Sequence, residues 1–596
     1  MRIFLMLSLL SFSTHASVSE KLTLEKIIDK VSSSKLLSCP GFLLTRSCGN
    51  RVCEADKDET VETCPSDCIK TEIRSYNHQT LCTDFKLIAE PKTQSLFEKT
   101  VSDYIQKGYK VRVVGKLHSA NEQLCTQGAI VSTKYLNRAK RLEMFQGEET
   151  VVVEPGITIN DLSDWLYEKG KSIGMTMIGY NGVSVAGSTA TGSHGSSLKY
   201  PTVMASLIRS ITMITSDGVK KTYHAKNTTE NEWKALRTSL GMLGVITEMR
   251  LKVFPAFNLY AKVDYLEDEI LLQDNGYKKL LADCDWGQLN WFPNIGKVMR
   301  SCAVKTHLSA QDGAENQLLT PNVSESSVPL FKQAVQLGAC FEPVNRLLET
   351  FRFQNFKLTP PFVKTVDGKI QAIHEVIGKS HKITSSPFIP IKQGFFQMDW
   401  EFAVPQSEIT NALRDVKKIT EKYKVSLPLI GAFIRFTKAE DTTLIAHSSV
   451  GGKFLKGEDV AFIELPVYLP LNFNKKRLAK HEKPYKEFVN TMIEKRHARG
   501  HWSKNKEWVF QKQIELGSYQ DKLSNFQHVL NRFDGHGVFA NQFGQTIGLD
   551  WDRHDFDLSS PCSSKYFPVC DSNGNKYRNF CEAQKESAIS LQSCQI

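Results

Sequence analysis

Several absences narrow this chain before any motif is read. After the first sixteen residues no stretch has the length and apolar purity of a membrane-spanning helix, so an exported product is expected to be soluble, without a membrane span. Between residues 258 and 548 there is no internal repeat and no low-complexity tract, which excludes a repeat array there. The two Gly-bearing loops described below lack both the G-x-G-x-x-G and the G-x-x-x-x-G-K-[ST] spacings, and this excludes a nicotinamide fingerprint and a Walker loop. Nor is one sign of charge concentrated: the net charge of +11 comes from Lys and Arg spread along the chain, with local excess at Asn474–Lys483 and Glu494–Lys504. That pattern reads as a solvated basic face and not as a nucleic-acid surface, while anionic cell-surface polymers stay open as partners.

What is present points to an exported, multi-domain protein. At 596 residues two or three domains are expected, and 41% apolar with 23% charged residues is ordinary globular composition. Met1-Arg2 followed by the apolar run Ile3–Phe12 and small residues to Ala16 describes a signal segment over residues 1–16, so the expected location is secreted or periplasmic. The 14 Cys crowd the two ends, with five between Cys39 and Cys68, four between Cys562 and Cys594, and five scattered between. Dense Cys in short terminal pieces of an exported chain reads as disulfide staples. The module 39–68 is also acidic; its carboxylates could gather calcium, but a disulfide knot with solvated charges is the preferred reading, and no metal site is expected.

Residues 79–257 mix short β-branched runs closed by Gly (Lys110–Gly115, Val151–Gly156), a helix over Asn160–Gly170 with Asn160 as its expected N-cap, and a hairpin over Ile211–Tyr223 turning at Asp217-Gly218. Residues 258–548 combine strands such as Gly431–Lys438 and Val460–Leu469 with long polar helices. The fold class is therefore α+β, in two domains flanked by small disulfide-rich modules.

Two loops in the first domain carry the chemistry. In "VVGKLHS" a strand ends at Gly115 and turns through Lys116, Leu117, His118 and Ser119, leaving backbone N–H groups that suit a pyrophosphate. In "VAGSTATGSHGSS" Gly187, Gly192 and Gly195 let backbone approach a flat ligand where a Cβ would collide. Two such loops in one domain imply one large phosphorylated cofactor.

With "VVVEPGITINDLSDWLYEKG" and "SLGMLGVITEMRLKVFP", these motifs resemble, in order and spacing, the PCMH-type FAD-binding domain of the vanillyl-alcohol oxidase superfamily, in particular its sugar-1,4-lactone oxidases (gulonolactone and arabinonolactone oxidases) and alditol oxidases. "GHWSK" (Gly500–Lys504) is similar to that family's His-Trp-x-Lys, and Arg532–Phe543 to its D-P-x-G-x-F-x-N. The resemblance implies FAD attached covalently through its 8α carbon to His118, and a flavin wrapped by Gly187, Thr191, Gly192, Ser193, His194, Gly195 and Ser196. Ser193 or Ser196 would touch the isoalloxazine and His194 would order the loop. Gly241 and Gly244 would admit the adenine end, and Val245 would also bind the cofactor.

On the substrate side the resemblance makes Lys504 and Arg435 the cations that hold developing negative charge, with His501 and Trp502 shaping the pocket. Where the family commonly has Glu-x-Arg this chain has Phe433-Ile434-Arg435, and Glu464 on a neighbouring strand is the candidate replacement carboxylate. The implied activity is oxidation of a CH–OH group of a sugar lactone, polyol or related carbohydrate, with O2 or another acceptor taking the electrons. The competing expectation, an inactive secreted binding or protease-inhibiting protein on this scaffold, rests on the Cys-rich ends and Phe433.

The tail resembles a Kazal domain through Cys562, Cys570, Tyr577 and Cys581. By that family's connectivity Cys562 pairs with Cys581 and Cys570 with Cys594. The family's third disulfide is missing, so the loop around Ser564 would be less rigid, and a docking or structural module that contacts a protein or protease is expected.

Overall fold

The computed structural model describes residues 73–76, 80–176, 179–319, 342–387, 396–423, 431–469, 475–519 and 521–549, plus three two-residue strands at 569–570, 576–577 and 592–593. The signal segment, the 39–68 module and the tail cysteine pairings lie outside the described residues.

The first half holds two main sheets and two two-stranded ones, Ile73–Arg74 with Leu81–Cys82 and Lys171–Ser172 with Phe254–Pro255. A parallel sheet runs in the order Leu87–Ala89, Ala129–Ser132, Val111–Val114, and a five-stranded antiparallel sheet runs Lys220–Tyr223, Ile208–Ile214, Val245–Lys252, Glu148–Val153, Ala139–Phe145. The Ile208–Ile214 and Lys220–Tyr223 strands pair as the expected hairpin, with Gly218 at φ 76° and Asp217 accepting from the Val219 N–H in the turn. The helix expected after Val153 spans Ile159–Tyr167, and its N-cap is Thr158, whose hydroxyl accepts from Asp161 N–H at 3.0 Å. Asn160 is already inside the helix, because the chain is still extended at Thr158 and a side chain there can reach the free N–H of the third helical residue, Asp161.

The second half is built on an eight-stranded sheet in the order Glu375–Lys379, Asn258–Glu267, Lys297–Thr306, Trp286–Phe292, Ala432–Lys438, Asp459–Leu469, Phe396–Pro405, Arg499–Gly500, beside a three-stranded sheet of Glu315–Asn316, Phe362–Val366 and Lys369–Ile373. Its strands alternate. Met398, Trp400, Phe402, Ile434, Phe436, Ile463 and Leu465 point one way into a core shared with Leu413 and Val416 of helix Ile409–Tyr423 and Phe488 and Val489 of helix Lys475–Arg496. Each such side chain contributes roughly 1.5–3 kcal/mol on burial. The period of two then forces Asp399, Glu401, Phe433, Arg435 and Glu464 onto the opposite face, toward the first half.

The chain then returns. Trp502, Phe510, Phe526, Leu530 and Phe543 pack into the same core as Val151, Leu162, Ile211 and Met249, so the stretch after Gly500 belongs by its packing to the first half as much as to the second. Of the scattered cysteines, Cys82 pairs with Cys125 and Cys284 with Cys302. The first bridge closes a loop containing His118; the second staples neighbouring strands of the large sheet.

Candidate active site

The two loops of the first half and the polar face of the large sheet enclose a cavity of about 300 Å3, within the usual range for ligand pockets. Gly115, Lys116, Leu117, His118 and Ser119 all line it, with Leu117 in the left-handed region at φ 55°. Gly115 is glycine for a different reason from the one its motif suggests. A Cβ there would stand 2.3 Å from the Ser184 Oγ, so the missing side chain lets the two loops close on each other.

The first loop is anchored to a motif more than 380 residues away: Ala120 N–H donates to Ser503 O at 2.7 Å, and Asn121 Nδ2 donates to Asn505 O at 3.0 Å. His118 is thereby brought into the same cavity as Lys504. Its ring is stacked on Tyr76 at 3.6 Å between centroids and tilted against Tyr180 at 4.6 Å. Burial, with a smaller push from the Lys504 charge, lowers its pKa to about 3, so the imidazole is neutral.

Of the second loop, Gly187, Thr191, Ser193 and His194 line the cavity, as do Gly241, Gly244 and Val245. Gly192, Gly195 and Ser196 stand behind the wall. Gly192, at φ 72°, leaves room for the His447 ring, since a Cβ there would lie 3.3 Å from its Cε1. Gly195 N–H donates to Thr202 O at 2.8 Å. Ser196 Oγ donates to Gly287 O and accepts from Phe436 N–H at 3.1 Å, which ties the loop to the large sheet and not to a ligand.

The sheet contributes a row of charge. Register places Phe433 opposite Glu464 and Glu464 opposite Glu401, so the three side chains share a rung on the cavity side. Lys504 Nζ lies 2.6 Å from Glu464 Oε1 and 2.9 Å from Glu401 Oε2. Arg435 Nη1 donates to Glu464 Oε2 at 2.8 Å, and its Nε is buried with no hydrogen-bond partner among the described residues. Glu464 thus holds both cations from the strand beside Phe433, and the departure at Phe433 leaves the site its carboxylate. Burial opposes ionisation of Glu401, but Lys504 and the His194 hydrogen bond outweigh it and hold the carboxyl well below its ordinary range. Burial likewise works against the Lys504 charge, and Glu401 and Glu464 raise its pKa above the ordinary value regardless. His501, lowered to about 3 chiefly by burial, is neutral beside them, and its Nδ1 faces Ser503.

The sequence reading missed Tyr76, Tyr180, Asp399, Glu401 and His447. Tyr76 sits three residues before the expected domain boundary; its hydroxyl donates to Asp399 and its N–H to Leu117 O at 2.9 Å. Asp399 and Glu401 had a signal available, two carboxylates at i and i+2 within the otherwise apolar "MDWEFAV".

The cavity fits a dinucleotide flavin. Backbone and small side chains form the loop wall, and the orphaned Arg435 Nε and Gln123 Oε1 on the wall call for a polar occupant. Comparison with known proteins agrees. A family model for an FAD binding domain matches residues 85–222, and the D-arabinono-1,4-lactone oxidase model matches residues 249–547, half of the chain. Mouse L-gulonolactone oxidase is 23% identical, covering 74% of this chain and 90% of its own. L-gulonolactone oxidase 2 of Arabidopsis thaliana is 24% identical over 78% of this chain and 80% of its own. Among solved structures, a solvent-stable cholesterol oxidase superposes with a TM-score of 0.64 at 13% identity, covering 80% of this chain and 97% of its own, a likeness of fold. The chain belongs to the D-arabinono-1,4-lactone oxidase family and is an FAD-dependent oxidase.

Proposed function

We propose that this chain is an exported oxidase that converts a CH–OH group of a sugar lactone, polyol or related carbohydrate to C=O while reducing O2 to H2O2. The observation that carries the reading is Lys504, held between Glu401 and Glu464 in the cavity that His118 also lines. FAD, when bound, accepts the two electrons and the carbon-bound hydrogen. His118 is the attachment point: a neutral imidazole keeps the lone pair that a bond to the flavin 8α carbon requires. Lys504 and Arg435 polarise the substrate oxygen as charge develops on it. Glu464 fixes both cations, and the Glu401 and Glu464 carboxylates accept hydrogen bonds from the remaining sugar hydroxyls. Export rests on the N-terminal signal pattern and the two internal disulfides. The tail is a docking module for a protein partner, supported by its Kazal-like cysteine and tyrosine spacing.

The test is an absorption spectrum of purified protein before and after acid precipitation, followed by H2O2 detection with a panel of lactones and polyols. Yellow colour in the precipitate and peroxide from a sugar lactone are expected. Colour released to the supernatant overturns the His118 linkage. Flavin that no member of the panel bleaches overturns the substrate class.

A further inference from the structure

Behind the loop wall three buried histidines meet, of which His194 and His501 also line the cavity and His447 lies outside the machinery described so far. His194, His447 and His501 come from the small-residue loop, from Leu444–Ser449 and from the His-Trp-x-Lys segment, and one ring nitrogen of each lies within 4.8 Å of the others. The His447 and His501 ring centroids are 4.4 Å apart, and those of His194 and His447 are 5.7 Å apart.

Two observations point to a missing positive charge among them. His194 Nδ1 is 2.9 Å from Gly195 O and its Nε2 is 3.2 Å from Glu401 Oε1. A neutral imidazole carries one N–H, so whichever tautomer forms, the other nitrogen faces an oxygen that can only accept. His447 is fully buried and neither of its nitrogens has a hydrogen-bond partner among the described residues. Such a group costs about 1–3 kcal/mol unless something satisfies it. Slack does not explain its position. Leu444–Ser449 is buried throughout and is pinned by Trp502 Nε1 to Ile445 O at 2.6 Å and by Arg499 Nη1 to Ser449 O at 2.6 Å, while Gly192 leaves the ring its space.

We infer that His194 Nε2, Glu401 Oε1, His447 and His501 form a binding site for one divalent transition ion of the Zn2+ class. Two ligands at about 2.0–2.2 Å from a tetrahedral ion lie about 3.3–3.6 Å from each other, and the Nε2 to Oε1 spacing of 3.2 Å needs to open only slightly to reach that. His447 and His501 close the shell by small ring rotations; the Ser503 N–H donates to His501 Nδ1 at 3.2 Å, so Nε2 carries the proton of the resting neutral ring, and on ion binding that proton moves to Nδ1, which then donates to Ser503 Oγ, 3.0 Å away. Imidazole with one carboxylate suits Zn2+, Cu2+ or Ni2+ over Mg2+ or Ca2+. The ion takes Glu401 Oε1, from which Arg435 Nη1 is 3.7 Å away, and leaves Oε2 to Lys504. It therefore couples the loop to the charged row at the edge of the cavity.

The experiment uses the purified flavin-containing protein, dialysed against a chelator and titrated with Zn2+ by calorimetry, with bound metal counted by elemental analysis and flavin read by absorbance in the same samples. One ion per chain is expected, with binding weakened at least tenfold in His447→Gln at unchanged flavin content. No stoichiometric binding by the wild type, or equal binding by His447→Gln, overturns the site and leaves the oxidase reading intact. Where His447→Gln does not fold, Cu2+ loaded into the wild type decides: electron paramagnetic resonance showing coupling to several imidazole nitrogens supports the site, and its absence overturns it. A shared proton between His194 and Glu401, with no metal uptake, is the outcome that replaces the proposal.

Discussion

The cavity has two walls made in different ways. The loop wall, at 115–119 and 187–194, presents backbone, small residues and one ring, and its residues are near neighbours in sequence. The sheet wall presents Asp399, Glu401, Arg435, Glu464 and Lys504, which come from separate segments and meet only through strand register. A wall of backbone needs particular residues in one short order, because each glycine answers a local steric demand. A wall of side chains needs only that each strand places the right residue on the right face. The first should fail by losing the cofactor, the second by losing turnover.

Lys504→Met is the sharpest way to break that contrast. It removes the ammonium between Glu401 and Glu464 while keeping the stem, and turnover should fall by about 10^2–10^3-fold with flavin content unchanged. Steady-state kinetics beside the flavin-to-protein absorbance ratio checks it. Loss of flavin in proportion to activity would show that the two walls are not separable in this way.

The same contrast explains how much was legible in the sequence. Gly115, His118, Gly187 and His194, which the structure lines up along the cavity, were legible because two short motifs carry them. Lys504 and Arg435 were found because each sits in its own motif. Glu401 was missed: its partners Glu464 and Lys504 are 63 and 103 residues away by subtraction of their numbers, and no local pattern records which strands become neighbours. His447 was missed because its loop has no repeat of any period; burial there is imposed by Trp502 and Arg499 reaching in from elsewhere. Ser196 and Gly192 were assigned to the cofactor because a motif records that a glycine or serine is needed, not on which side of the backbone the need arises.

Acid should weaken the joint between the walls. Burial lowers the pKa of His118 and His501 to about 3 and that of His194 and His447 below the ordinary value. Below a pH of about 6.5 the unfolded chain binds protons that these rings refuse, so stability falls with falling pH by up to about 1.4 kcal/mol per ring per unit. Glu401 adds in the same direction: its folded pKa is depressed, so its contribution is present above about pH 4.5 and is lost as the carboxylate is protonated below that. Urea midpoints at pH 7.5, 6.5 and 5.5 should therefore change little in the first step and fall in the second. His501→Gln should flatten the second step.

A smaller effect tests the loop wall alone. Gly115→Ala puts a Cβ 2.3 Å from Ser184 Oγ and should cost about 1–3 kcal/mol and a share of the bound flavin. Gly115→Ala with Ser184→Gly should recover most of both, since the clash is with that one side chain. Recovery of neither would mean that the glycine answers the ligand after all, as its motif suggests.

Tyr76 joins the two walls and should give the smallest change. It reaches the cavity from the Ile73–Arg74 and Leu81–Cys82 hairpin, lays its ring on His118 of the loop wall and donates its hydroxyl to Asp399 of the sheet wall. Tyr76→Phe keeps the stack and removes the hydroxyl, a hydrogen bond to a charged group worth about 1.5–3 kcal/mol in the resting protein. Asp399 opens on the cavity, so water replaces much of that bond, and KM for the best lactone should rise less than about tenfold with kcat nearly unchanged. Tyr76→Ala removes the stack as well, uncovers His118 and should lower the flavin retained after acid precipitation. If Phe and Ala behave alike, the hydroxyl carries the contact and Tyr76 belongs to the sheet wall; if only Ala has an effect, the ring carries it and Tyr76 belongs with His118.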